Sequence, residues 1–210
     1  MTDQDLLTEI QYAVLEPPDG GQSWPSEVWS RDDVLDAVNA GVRTLLRETH
    51  CRTTWVEQVV IPLATSVGLP ADWLTTAHLV WRDQASARRS PLTRTDAFEA
   101  DHALPGWEGT AGTPVGYADL DTHTLELRLV PTPATIGFLE NLYVPAPDPV
   151  NGNGQDLPVP DSTISAVKYG ALAMLLMDTT RLQDPERSAY CLERQDLILF
   201  ATTLLLQGGA

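Results

Sequence analysis

The 210-residue chain has one lysine, Lys168, and twelve arginines, and these thirteen bases face twenty-nine acids for a net charge of −16. That shortage of positive charge excludes wrapping around duplex DNA, which needs a cationic footprint to displace counterions. Cysteine is nearly missing. Cys51 and Cys191 are too few for a disulfide scaffold and match no metal-site spacing, so a reduced, intracellularly folded protein is expected. Long apolar runs are missing too. The longest, Leu197 to Leu206, is about ten residues and includes Thr202 and Thr203, whereas a spanning helix needs about twenty. No membrane segment is expected. The acidic start Thr2-Asp3-Gln4-Asp5 lacks the basic and apolar stretches of a secretory leader, and none is expected there. No repeat of 20–50 residues is present.

What is present is enough apolar side chain, 43%, for a packed core. The length suits one domain, 1–210. Four segments carry helical period. In 2–16, Leu6, Leu7, Ile10 and Val14 share a face, Thr2 and Asp5 form a capping pair, and Pro17-Pro18-Asp19-Gly20-Gly21 ends the run. In 31–49, Ser30 caps, Asp32 and Asp33 suit the positive end of the helix dipole, and Val34, Leu35, Val38, Val42, Leu45 and Leu46 form the stripe. The third helix, 162–181, follows Pro158-Val159-Pro160 with Asp161 or Ser162 as cap. Ala171 to Met177 is apolar all round, which implies burial on several sides. The fourth, 185–206, has Asp184 as cap and Pro185 at its first position. It runs through Tyr190, Leu197, Ile198 and Ala201, and Gly208-Gly209 stops it. The short link between the last two helices predicts an antiparallel hairpin.

Between the second and third helices the texture turns β-rich, approximately 53–145. Strands are expected at Thr53–Ile61, Leu74–Trp81, Thr122–Val130 and Gly137–Val144. Arg88 to Gly116 reads as loop with a short helical turn near Thr95 to Ala100. Pro145 to Pro160 carries five prolines and the turn Asn151-Gly152-Asn153-Gly154. The expected fold class is α+β: an antiparallel bundle of about four helices from the two chain ends, with a central β-rich extension and long loops.

A search for chemistry finds no catalytic, cofactor-binding or metal-binding constellation. Gly106, Gly109, Gly112 and Gly116 lack the following helix and the Lys of a phosphate loop. Adjacent His50 and Cys51 close a helix whose negative end raises a thiol pKa. His78, His102 and His123 form no ligand pair, Asp119 and Asp121 alternate with Leu120 as exposed acids do, and no Gly-x-Ser-x-Gly elbow exists. Of the six tryptophans, at 24, 29, 55, 73, 81 and 107, core is the expected place for any one. Trp24 or Trp29, flanking a turn, is a candidate contact anchor.

The order of short motifs carries more. These are Trp29-Ser30-x-x-x-Val34-Leu35-x-x-Val38-Asn39, Leu69-Pro70-Ala71-Asp72, Gly112-Thr113-Pro114-x-x-Tyr117, Leu127-x-Leu129-x-Pro131-x-Pro133 and Leu142-Tyr143-Val144-x-x-Pro147. The last is Leu157-Pro158-Val159-Pro160-Asp161-x-x-Ile164-x-Ala166-Val167-x-Tyr169-Gly170-Ala171-Leu172-Ala173. From Trp29 to Asp184 the chain resembles the head-to-tail adaptor (head-completion, connector) proteins of tailed bacteriophages.

That resemblance implies a non-enzymatic virion protein without cofactors, located at the neck and assembled in the host cytoplasm. It implies a twelve-membered ring of copies joining the portal protein to a tail, nozzle or tail-tube protein. DNA would pass through the ring without sequence-specific binding. By position it assigns portal contact to Leu204, Leu205, Leu206, Gln207, Gly208, Gly209 and Ala210. A contact arm toward a neighbour or the tail falls at Asn151, Gly152, Asn153 and Gly154. The alternatives are a hexameric neck or tail-terminator protein, an acidic DNA-mimicking binder, and an enzyme whose site is assembled only by folding.

Overall fold

The computed structural model describes residues 1–14, 28–121, 125–178 and 183–207. In chain order the elements are α1 (Asp3–Ala13), α2 (Arg31–Thr49), β1 (Thr54–Val60), β2 (Val67–Gly68), β3 (Trp73–Asp83), β4 (Arg89–Pro91), β5 (Thr93–Thr95) and α3 (Ala97–Ala103). There follow β6 (Ala111–Gly112), β7 (Gly116–Asp121), β8 (Glu126–Val130), β9 (Thr132–Pro133), β10 (Gly137–Pro145), α4 (Ile164–Met177) and α5 (Pro185–Gln207). The chain is mixed α+β. It forms two compact units, one of residues 1–52 with 147–210 and one of 53–146.

In the first unit each helix starts and faces inward for local reasons. Thr2 and Asp5, and again Ser30 and Asp33, form reciprocal capping boxes that satisfy otherwise orphaned N–H groups. Leu6, Leu7 and Ile10 of α1 and all six stripe residues of α2 are buried. The fourth expected helix is capped as anticipated, the Asp184 carboxylate accepting from the Arg187 N–H at 3.0 Å. Helices α4 and α5 run antiparallel: the Asp184 N–H donates to the Leu176 carbonyl, and the Ser188 hydroxyl to that of Ala173. Further along, Gly170 lies against Gln195.

Three expectations for α4 fail. Neither Asp161 nor Ser162 caps it: 161–163 form a 3₁₀ turn and α4 begins at Ile164 with no side-chain cap. The Asp161 carboxylate instead pairs with the Met1 ammonium at 3.1 Å. Met174 and Met177 are exposed, so burial of the apolar run is one-sided at those positions. The helix also stops at Met177, with Asp178 extended as its C-cap, instead of running on to Arg181. The Pro17–Gly21 turn, Trp24, His123 and residues 179–182 lie outside the described residues.

Among the described residues the second unit holds two four-stranded sheets, in the orders β1-β10-β3-β4 and β2-β8-β7-β5, and a two-stranded pair of β6 with β9. The first sheet is wholly antiparallel, with Thr54 opposite Tyr143 and Val60 opposite Gly137. Val60, Leu79, Trp81 and Leu139 from it meet Tyr117, Leu127 and Leu129 of the second sheet in one apolar cluster. Gly137 is required there, because a Cβ would collide with the Trp81 ring.

The stretch read as loop, Arg88–Gly116, instead contains β4, β5, α3 and β6, and the helical turn falls at Ala97–Ala103 under an Asp96 cap. Strands of two or three residues hold no period to read. They exist because a distant partner offers a ladder edge.

Candidate interaction site

Helix α5 changes character along its length. Ser188, Cys191, Gln195 and Leu199, spaced three and four apart, form its buried stripe, and burial of Cys191 pushes its thiol pKa up. The stripe stops at Leu199. Beyond it, Phe200 is 65% exposed and Leu205 80%, with Leu204 and Leu206 also in the open. Thr202 and Thr203 turn their hydroxyls back onto the carbonyls of Ile198 and Leu199. The last two turns of α5 therefore present leucine and phenylalanine that nothing in the described residues covers. Of the expected portal-contact residues, Leu204, Leu205 and Leu206 belong to this end. Gln207 closes the helix, while Gly208, Gly209 and Ala210 lie outside the described residues.

Leu197 and Phe200 extend the uncovered surface, whereas the sequence places Leu197 in the period of the helix beside Tyr190, Ile198 and Ala201 and does not mark Phe200. Its signal was present. Both fall off the face defined by Ser188, Cys191, Gln195 and Leu199, but two polar residues in that buried stripe hid which face was which. Gln195 is admitted because it packs over Gly170.

Near the start of α5 an apolar groove of about 350 Å3 opens among Ala13, Tyr169, Leu172, Leu176, Tyr190 and Cys191. Tyr169 and Tyr190 meet edge to face at 6.5 Å, and Arg194 stacks on Tyr190 and donates to its hydroxyl. Arg187 closes one side by donating to the Ala13 carbonyl at 2.7 Å.

The second expected contact segment, Asn151–Gly154, is fixed by its own unit. The buried Asp3 carboxylate accepts from the N–H of Gly152 at 2.7 Å and of Gly154 at 2.8 Å. Arg31 donates to the carbonyls of Asn151 and Gly152, and Asn39 exchanges two hydrogen bonds with Val150. Gly152 and Gly154 have φ of 72° and 81°, which only glycine adopts at little cost. A Cβ on Gly152 would also strike Arg31. The tip is thus a fixed feature that holds Asn151 and Asn153 out to solvent.

The chemistry-bearing residues are dispersed. His50 caps α2 in the left-handed conformation with Cys51 next to it, His78 faces solvent on β3, and His102 lies in α3. Gly106 and Gly109 bound a 3₁₀ turn, while Gly112 and Gly116 lie in β6 and β7, with no helix following. The side chains of Asp119 and Asp121 lie outside the described residues. Among the described residues no three His, Cys, Asp or Glu side chains gather as a metal site would require, and no helix is long and apolar enough to cross a membrane. Trp29, Trp81 and Trp107 are buried, so Trp29 serves the core, whereas Trp55 is half exposed on β1.

The most developed charged cluster is on the first sheet. Glu140 of β10 accepts from Arg82 of β3 at 2.8 Å and from both Nε and Nη2 of Arg89 of β4, and Arg82 also holds Glu57 of β1. Burial pushes the Glu140 carboxyl up, but the hydrogen bonds and charges of Arg89 and Arg82 outweigh it and hold the pKa below the ordinary value. Two acids and two bases cancel across four strands. That arrangement ties the sheet together and leaves no free charge for a reaction.

No curated protein matches the chain significantly. The family model described as SU10 adaptor protein matches residues 1–198, nearly the whole length, taking in both units and all but the last turns of α5. The chain belongs to the SU10 adaptor protein family, a family of bacteriophage adaptors, and is by that membership a virion component that interacts with other virion proteins.

Proposed function

We propose that this protein is a non-enzymatic neck component. In that role twelve copies form a ring joining the portal to the tail or nozzle and continuing the DNA channel. The observation that carries the reading is the uncovered end of α5: leucine and phenylalanine held on a preformed helix in a chain of net charge −16. Apolar side chains at that density on a surface mark a protein interface. The helices of the chain ends act as a bundled hub in this reading, and the fixed tip at Asn151–Gly154 is a rigid contact with a neighbouring subunit or the tail.

The acid excess suits a duct. Repeated around a ring, it repels phosphate within about a Debye length, so DNA slides without adhering. Subunit contacts then fall to apolar patches and to arginine, which pairs with carboxylates bidentately.

The test is light scattering on the full chain with and without portal protein. The expected result is a monomer or weak oligomer alone and a dodecameric assembly with portal. A chain that stays monomeric beside saturating portal overturns the reading. Leu204→Asp with Leu205→Asp, both solvent-facing, is expected to leave the fold intact and weaken portal-dependent assembly about a hundredfold, the loss typical of two truncated interface anchors.

A further inference from the structure

Strand β1 closes one side of the first sheet, and no strand pairs with its outer edge among the described residues. Such an edge is a row of open N–H and C=O groups, and proteins that need none of it block it with proline, charge, a bulge or brevity. The opposite edge of the same sheet is blocked: β4 is three residues long, ends in Pro91, and ties Arg89 to Glu140. β1 carries no such device. It is seven residues long, contains no proline, and pairs with β10 in unbroken register from Thr54 to Val60. Its single charge, Glu57, is bound by Arg82 at 2.5 Å.

The edge is also apolar. Trp55, Val59 and Ile61 are exposed, Val59 at 65%. Beside it runs a groove of about 600 Å3 between Gln58–Ile61 and the segment holding Ser66 and Val67, lined by no charged side chain. Since β2 is itself the edge of the second sheet, the groove lies between two open sheet edges of one unit.

Its own geometry selects the occupant. An open edge is completed by an extended backbone, and side-chain alternation places every second residue of that backbone on the face shared with Trp55 and Val59. No other strand among the described residues supplies a matching edge, for β2, β4 and β5 have two or three residues each. Full-length antiparallel pairing of β1 with β1 of a second copy sets Glu57 opposite Glu57, and because each Arg82 is already shared with Glu140, the two acids face each other with their cations divided, an unfavourable cross-strand pair. We propose that β1 accepts an extended segment from a different virion polypeptide. That segment has about seven residues, alternate apolar side chains, and a neutral or basic residue opposite Glu57. This inference rests on the adaptor reading above.

The experiment is amide hydrogen exchange on the full chain, free and within purified virions, with a second comparison of the wild type and Val59→Lys/Ile61→Lys. Both substituted side chains face solvent, and the wild-type measurement does not depend on them. Amides of 54–60 are expected to exchange at least about tenfold more slowly in the virion than free, as added ladder hydrogen bonds require. The double variant is expected to enter virions at least about tenfold less often while its other amides exchange as in the wild type. Equal exchange of 54–60 in both states overturns the proposal, as do wild-type incorporation of the variant and cross-links joining β1 to β1 of a second copy. Protection at the end of α5 without protection at β1 overturns this inference alone. Absence of the chain from virions overturns the adaptor reading, and this inference with it.

Discussion

The two units obtain order by different means. In the unit of 1–52 and 147–210, order begins locally: capping boxes fix where α1 and α2 start, and stripes of period 3.6 fix which side is buried. In the unit of 53–146, little is decided locally. β1 finds β10 across some eighty residues, the parallel pairs β5–β7 and β6–β9 are two or three residues long, and one cluster around Trp81 gathers side chains from both sheets. The helical unit should therefore lose stability in increments as single contacts are removed. The sheet unit should depend heavily on a few central side chains.

The largest expected effect probes that dependence. Trp81 is fully buried against Gly137 and the apolar cluster, so Trp81→Ala removes a large ring from a site whose backbone is held between two neighbouring strands, β10 and β4. A cost of about 4 kcal/mol is expected, a large share of a domain's ordinary stability. Chemical denaturation should show the 53–146 transition shifted to much lower denaturant. A loss under about 1.5 kcal/mol would break the contrast between the units.

Next is a comparable central group in the helical unit, Asp3. Asp3→Ala strips the acceptor from the Gly152 and Gly154 N–H groups and leaves them without their charged partner. About 3 kcal/mol is expected, since each hydrogen bond to a charged group is worth about 1.5–3 kcal/mol. Amide exchange should speed up at 152 and 154 first. If it does not, Arg31 and Asn39 alone hold the tip.

Glu140 gives a smaller effect with a pH signature. Glu140→Gln keeps the volume and removes the charge shared by Arg82 and Arg89. Both arginines reach solvent, so about 2 kcal/mol is expected, below the cost of a fully enclosed pair. Because the folded carboxyl titrates below its unfolded value of about 4.3, its contribution is complete above that value and fades as pH falls through it and below. Denaturant midpoints should separate wild type from E140Q at pH 7 and converge toward pH 3. A gap unchanged at pH 3 would mean that the carboxylate charge is not the source of the loss at this position.

How far the fold could be read in advance follows the same division. The α2 boundaries, its six apolar stripe residues, the Asp184 cap and the α4–α5 hairpin were all legible, because caps and periodicity are written within a few residues of where they act. The strands at β1, β3 and β10 were legible for their length. β4, β5, β6 and β9 were not, since two or three residues, as in Arg89–Pro91 or Thr93–Thr95, are too few to show an alternation. The start of α4 was misread because Asp161 is drawn to the Met1 ammonium, a partner 160 residues away. The exposed end of α5 was visible as an apolar run, but that Phe200 joins it depended on knowing that Gln195 is buried. The open edge of β1 is invisible in sequence: Thr54–Val60 looks the same whether a strand lies on both sides or on one.

The smallest effect sharpens the comparison most finely. Ser30→Ala removes half of the α2 capping box: its hydroxyl accepts from the Asp33 N–H at 3.2 Å, and Asp33 in return accepts from the Ser30 N–H at 2.7 Å. About 1 kcal/mol is expected, with Ser30→Thr costing less. The value stays small because α2 buries six stripe residues over nineteen, so packing holds the helix after its first turn frays. Trp29 lies just before the cap and Val34 four residues after it, both buried, at the positions of a hydrophobic staple. If the staple fixes the start of the helix, the loss in urea denaturation stays near 1 kcal/mol and exchange quickens only at 31–33. A loss above about 2 kcal/mol would show that the cap sets the position of Trp29, and that order in this unit propagates from a single hydroxyl.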